Sequence, residues 1–439
     1  MTEEEIIDFQ ISSITGHRPT WKMGSNHNVS KKDFLILLKL IKQYLMSILY
    51  SGGLVFDGIG NMFENHGVLV DGQKISGIAP LGDFEGFSGE KVDTSDGTLL
   101  PGLIDCHVHI VYSGEADPKS HLLKLKPGQI VINALENAQK SLRNGITSIR
   151  DLGGRDFLEF AVRDACNSGR QTGPTIRAAG RMICMTGGHG NAFGRVADGP
   201  DEVLKAVREQ IHAGSDVIKL MATGGVMTSG VNPEDAHYSE QELRVGVNEG
   251  HRFNRKCASH AQGSAGILNA VNAGMDSIEH GIFMTQECLE AMLKQQTYLV
   301  PTLSAVNNIY LNRDNGIPDF IVEKTLRIQE HHHNSIKMFY KAGGKMAMGT
   351  DAGTPFNVHG DNVKELQFMV DLGVSNLDAL KISTANAADL MDLQDRGIIK
   401  EGFFADFLIV NGDPVKDISK VADRTNHQIV VKNGVQIQI

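Results

Sequence analysis

The sequence predicts an α/β protein, a TIM-like (β/α)8 barrel with a small β-sandwich domain built from both chain ends. Three observations lead there. Apolar runs alternate with helix-like segments through the middle of the chain. Short strand-and-turn segments stand on both sides of that middle. Residues with metal-ligand chemistry end or closely follow the apolar runs, and the C-terminal strand ends of a barrel converge on one pocket.

The runs suited to buried parallel strands span 103–109, 147–151, 177–183, 217–221, 257–260, 277–280, 299–303 and 346–351. Segments 201–213, 239–254, 264–273, 286–295 and 320–342 read as helices between them. A doubly wound open sheet is the competing arrangement, but no GxGxxG stands at a strand-to-helix turn. Residues 48–100 read as short strands, with Ser51-Gly52-Gly53 and Asp57-Gly58 marking turns. Segments 405–410 and 429–435 have the same character. The simplest arrangement joins 46–100 and 400–439 as one sandwich beside a barrel of 101–399. Residues 1–45 look unlike the rest of the chain and are set apart as an extension of unassigned role.

A chain of 439 residues suits one large and one smaller domain. Its net charge of −10 argues against nucleic acid as a partner, because phosphate binding wants a basic face. The five cysteines are scattered, with no CxxC pair, which disfavours a disulfide framework or a cysteine zinc site. A reducing, cytoplasmic setting is the natural reading. Cys106 reads as a small core residue. The chain opens Met-Thr-Glu-Glu-Glu, acidic where a signal peptide is basic. Segment 34–46 carries Lys39 and Lys42 and is too short and charged to span a bilayer, so it reads as an amphipathic helix.

Asp105-Cys106-His107-Val108-His109 ends the first run. Alternate residues on a strand face one way, so both histidines point into the barrel mouth. Lys219 stands inside the apolar run Val217-Ile218-Lys219-Leu220-Met221. An isolated buried ammonium is costly. Either it pairs with a carboxylate, or as a neutral amine it takes up CO2 to become a carbamate able to bridge two metals. His260 and His280 each end a further run, and two such histidines beside HxH read as ligands rather than packing residues. Imidazole and carboxylate suit zinc. Asp351, in Gly349-Thr350-Asp351-Ala352-Gly353, can ligate a metal and accept a proton from metal-bound water.

These residues, with Glu279-His280-Gly281 and the closing Gly402-Phe403-Phe404-Ala405-Asp406, resemble the amidohydrolase superfamily over nearly all of 46–439. The resemblance implies two divalent ions. His107 and His109 would hold one with Asp351, His260 and His280 the other, and N6-carboxylated Lys219 would bridge them. Related deaminases place a glutamate three residues after the third histidine; here that residue is Gly263. Phosphotriesterases share the lysine but usually lack the flanking sandwich. Hydrolysis of an amide bond remains.

Within the superfamily the chain resembles bacterial Xaa-Pro dipeptidases (prolidases), through Met185-Thr186-Gly187-Gly188-His189-Gly190, the run from Lys219 to Thr228, and Ala236-His237-Tyr238-Ser239. The resemblance implies a small-molecule substrate, a dipeptide or an N-acyl amino acid. Tyr238 is the first candidate to polarise the scissile carbonyl, and His189 the second. Arg195, His237 and His359 are candidates to meet a carboxylate. His331-His332-His333 lies in a long helical pattern and reads as a solvated face. Hydrolysis of a cyclic amide, as in imidazolonepropionase-like relatives, is the alternative activity. A non-catalytic scaffold is the alternative class, disfavoured because all six ligands are present. Oligomers are common in the family.

Overall fold

The computed structural model describes residues 47–439, which fall within one compact unit spanning Met46–Ile439. The expectations for 1–45 and the helix at 34–46 lie outside the described residues.

The described residues form nineteen strands. The first seven are β1 (Ile48–Ser51), β2 (Leu54–Phe56), β3 (Met62–Phe63), β4 (His66–Asp71), β5 (Lys74–Pro80), β6 (Glu90–Asp93) and β7 (Gly97–Pro101). The middle carries β8 (Leu103–Val108), β9 (Ile146–Asp151), β10 (Thr175–Ala178), β11 (Ile183–Cys184), β12 (Arg195–Val196), β13 (Val217–Met221), β14 (Lys256–Ala261), β15 (Ser277–His280) and β16 (Tyr298–Val300). The last three are β17 (Phe407–Asn411), β18 (His427–Lys432) and β19 (Val435–Ile437).

Strands from both ends of the described residues meet in one sheet, ordered β19-β18-β17-β7-β2-β3, where β7 pairs antiparallel with β17. A second sheet, β5-β4-β1-β6, lies with it over a shared core of Tyr50, Val68, Leu99, Phe407 and Val431. Alternation explains this: in β4 the buried Val68 and Val70 flank the less buried Leu69, as a strand with one covered face requires.

The middle strands run parallel. Ladders join β8 to β9 and β9 to β10, then β13 through β14 and β15 to β16. The Asp216 N–H donates to the Ala178 carbonyl across the gap between β10 and β13. Segment 346–351 differs from expectation. It forms isolated parallel bridges, Leu299 to Met346 and Val108 to Ala352, instead of a continuous strand. Even so, the Cys106 N–H donates to the Met348 carbonyl at 2.8 Å, so the segment links β16 back to β8. Close packing accounts for Gly349, where a Cβ would stand 2.3 Å from Val300 and 2.9 Å from the His107 Cβ. The run expected at 177–183 is likewise broken, into β10 and β11.

Helices fill the connections at Gly199–Ala213, Glu240–Arg252, Ser264–Ala273, Gln286–Gln295 and Asp319–Lys341, within a few residues of expectation. Ser239 caps Glu240–Arg252 through a capping box with Glu242. One expectation on these helices fails. His332 is fully buried, with Nε2 donating to the Pro301 carbonyl at 2.8 Å, while its neighbour His331 is exposed. It shares the inward stripe of Ile328, Ser335, Ile336 and Phe339, so helical period places only part of the triplet outside.

Candidate metal centre

The six residues expected as ligands line one cavity at the C-terminal ends of the parallel strands. His107 and His109 come from the end of β8, Lys219 from β13, His260 from β14 and His280 from β15. Asp351 comes from the bridge segment.

Each histidine is held by one ring nitrogen, which settles what the other can do. His107 Nδ1 lies 2.9 Å from Glu279 Oε2, and His109 Nδ1 lies 2.8 Å from the Gly153 carbonyl. Both acceptors need an N–H at Nδ1, which leaves each Nε2 toward Asp351 Oδ1, at 3.5 Å from His107 and 3.1 Å from His109. Burial keeps His107 neutral with a lone pair on Nε2. Against the lowering effect of burial, the Asp351 carboxylate raises His109 above the usual histidine range, so a metal ion would have to displace a proton there. His260 Nε2 donates to the Gly224 carbonyl at 2.8 Å. His280 Nδ1 donates to Thr302 Oγ1 at 2.6 Å, because the Thr302 hydroxyl itself donates to Pro301. The two remaining nitrogens, His260 Nδ1 and His280 Nε2, stand 2.9 Å apart.

Two lone pairs at that distance repel unless a proton or a metal ion draws them together. Burial pushes His260 well below the usual histidine range and His280 down to about 4, so neither holds an extra proton at neutral pH. Neutral imidazoles oriented by their far nitrogens are the form that binds a divalent ion. The donor sets therefore fit metal, and His107, His109 and Asp351 offer three ligand atoms within 4.8 Å of one another.

Lys219 is 2 % exposed, and its Nζ has no hydrogen-bond partner. Burial brings its ammonium down to about 8, against the opposing pull of Glu279 and Asp351. Asp351 has φ of 59° and His280 of 75°, left-handed values uncommon outside glycine. Such strain is held by the surroundings and clusters at working sites.

A buried layer supports the ligands. Glu279 Oε1 accepts from Arg150 at 2.9 Å and from Ser277 at 2.5 Å, while Oε2 holds His107. The Arg150 Nε donates to the Cys106 carbonyl at 2.6 Å. Asp105 accepts from the Thr350 hydroxyl at 2.6 Å and from Asn362 at 2.7 Å, so the strand bearing His107 is tied to the turn bearing Asp351. Sequence reasoning gave Arg150 no role. Its local sequence, Thr147-Ser148-Ile149-Arg150-Asp151, lacks the all-apolar flanks that single out Lys219.

The substrate candidates divide. His189 lines the cavity with its ring 4.4 Å from that of His260, and Nδ1 lies 2.9 Å from the Thr228 hydroxyl. Tyr238 does not line it. Its buried hydroxyl donates to the Ala197 carbonyl at 2.7 Å, so it is committed elsewhere and the oxyanion role expected for it fails. Arg195 is spent on Glu209, at 2.6 Å. His359 Nε2 is held by the Tyr112 carbonyl at 3.0 Å, behind the strand end. His237 is buried beside Gly188, outside the cavity lining. None of these three lines the cavity. The cavity wall instead includes Tyr112, Phe193, Met227 and Gln262, with Lys119 at its edge. All five cysteines are free and buried; Cys106 is the small core residue expected.

A TIM-barrel-like α/β fold with histidines and an aspartate gathered at the strand ends defines a class, the metal-dependent hydrolases. The sequence profile of the Amidohydrolase family matches residues 98–437, and the chain belongs to that family. It is 32% identical over 409 residues to the ochratoxinase of Aspergillus niger, covering 85% of this chain and 82% of that one. Among solved structures it is similar to a Xaa-Pro dipeptidase with methionine bound in the active site. That match has a TM-score of 0.81 and 32% identity, over 89% of this chain and 100% of the other. The crystal structure of A. niger ochratoxinase matches with a TM-score of 0.78 and 30% identity, over 89% and 95% of the two chains. Family and relatives together make this protein an amide hydrolase.

Proposed function

We propose that this protein cleaves the C–N amide bond of dipeptides of the Xaa-Pro kind or of N-acyl amino acids, with two divalent ions in a (β/α)8 barrel. The observation that carries the reading is the pair of facing imidazole lone pairs at 2.9 Å between His260 and His280, beside a second donor set on His107, His109 and Asp351. Zinc suits these donors. The dipeptidase and ochratoxinase likenesses support an amide substrate, and five free cysteines support a reducing cytoplasm.

Bound there, the ions would supply Lewis acidity and an activated water at neutral pH. The chain does the rest. Lys219, as a neutral amine, would add to the carbon of CO2 with loss of an N–H proton to solvent, and the carbamate so formed would be an anionic oxygen donor toward the metal site. Asp351 takes the proton of the attacking water on its carboxylate and returns it to the leaving amide nitrogen. His189, on the cavity wall, would meet the substrate carbonyl: a Thr228 hydroxyl donating to Nδ1 would leave an Nε2–H to donate to that oxygen. Burial takes the His189 ring down to about 3, so it acts as a neutral donor.

Purified, metal-loaded protein assayed against a library of dipeptides and N-acyl amino acids is expected to release free amino acids. Full metal occupancy with no turnover on any member would refute this reading.

A further inference from the structure

The loop from Gly224 to Asp235 touches the site at four places. The Gly224 carbonyl holds His260 Nε2 at 2.8 Å. Gly225 lies against the His189 ring, and a Cβ there would stand 2.7 Å from His189 Nε2. The Thr228 hydroxyl holds His189 Nδ1 at 2.9 Å. Val226 and Met227 form cavity wall. A loop with those duties must keep its shape, yet between Met221 and Glu240 it contains no helix or strand.

What holds it comes from a distant helix. Lys324, on Asp319–Lys341, donates from Nζ to the carbonyls of Val231 at 2.6 Å, Thr228 at 2.7 Å and Gly225 at 3.4 Å. An ammonium has three donors, and all three are directed at this one loop. One turn on, Arg327 pairs with Glu234 at 2.8 Å. Beneath, Val226 and Met227 pack against Ile309, Ile317 and Ile321.

We propose that Lys324 is a positioning residue for catalysis and specificity. It latches the 224–235 loop so that Thr228 orients His189 and so that Val226 and Met227 shape the wall for the substrate side chain. The proposal rests on the amide-hydrolase reading of the cavity. Turnover by the wild type tests that reading, and only the comparison of variants with wild type tests the latch.

A lysine that served stability alone would lower the melting temperature and leave substrate preference where it was. The latch makes other demands. In Lys324→Met, hydrogen exchange of the amides in 225–232 is expected to quicken about tenfold or more, with metal content unchanged. KM for substrates with bulky acyl groups is expected to rise about tenfold, and their preference over small ones to fall about fivefold. Lys324→Arg, which keeps charge and donors, is expected to recover most of both. If Lys324→Met does not fold, Lys324→Gln carries the same comparison. Thr228→Val supplies the link: combined with Lys324→Met it is expected to cost little more than the larger single change. Exchange and preference within twofold of wild type would overturn the proposal, as would full additivity of the two changes.

Discussion

Replacing Glu279 by glutamine isolates the support beneath His107. The change keeps size and removes charge. Glu279 is fully buried between Arg150 Nη2, at 2.9 Å, and His107 Nδ1, also at 2.9 Å. At an effective dielectric of about 20, a pair at that distance attracts with about 6 kcal/mol, most of it offset by the cost of burying both charges. Removing one partner leaves Arg150 buried without its carboxylate, at a cost of about 3–5 kcal/mol of stability. His107 meanwhile loses the carboxylate that fixes its tautomer and raises its basicity. Such a loss weakens metal binding about 10–100-fold, or about 1.4–2.7 kcal/mol. Chelator competition on the folded variant reads the metal term, and denaturant unfolding reads the stability term. Glu279→Gln combined with Arg150→Met is expected to be less destabilised than the sum of the two singles, since no charge is then stranded. Unchanged metal affinity would show that Glu279 does not orient His107, and additive destabilisation would show that it does not compensate Arg150.

Asp351→Asn is expected to retain metal while turnover falls about 10²–10⁴-fold, measured as kcat on the best substrate. Lys219→Ala is expected to lose one ion per chain, read by elemental analysis. Uptake of CO2 requires the neutral amine, so with Lys219 at about 8 the neutral fraction rises from about a tenth at pH 7 to about nine-tenths at pH 9. Reactivation of decarboxylated apoprotein at fixed dissolved CO2 should therefore run about tenfold faster at pH 9 than at pH 7. Gly349→Ala would press a methyl 2.9 Å from the His107 Cβ and 2.3 Å from Val300. It is expected to cost about 1–3 kcal/mol in unfolding free energy and to weaken metal binding.

The four cavity histidines and Asp351 were legible because they stand at the ends of runs whose apolar pattern is local. A period of two puts His107 and His109 on one face, and a lone charge among apolar neighbours marks Lys219. Arg150 stands beside Asp151 and Glu279 beside His280, so neither is a lone charge, and a pairing across 129 positions leaves no trace in either segment. Tyr238 misled for a related reason. Beside His237 and before a helix cap it looked available, yet the fate of its hydroxyl depended on Ala197, 41 positions away. His332 was readable and misread, since Ile328, Ser335 and Phe339 already define the inward stripe. Segment 346–351 has strand composition but bridges its neighbours only intermittently, because Gly349 must pass close to Val300 and His107.

Titrating apoprotein with zinc in the presence of CO2, while tracking hydrolysis of the best dipeptide or N-acyl amino acid, tests the proposed two-metal amide hydrolysis. Activity is expected to rise until two equivalents are bound and then level off. A plateau at one equivalent, or full loading without hydrolysis, would rule out two-metal amide hydrolysis.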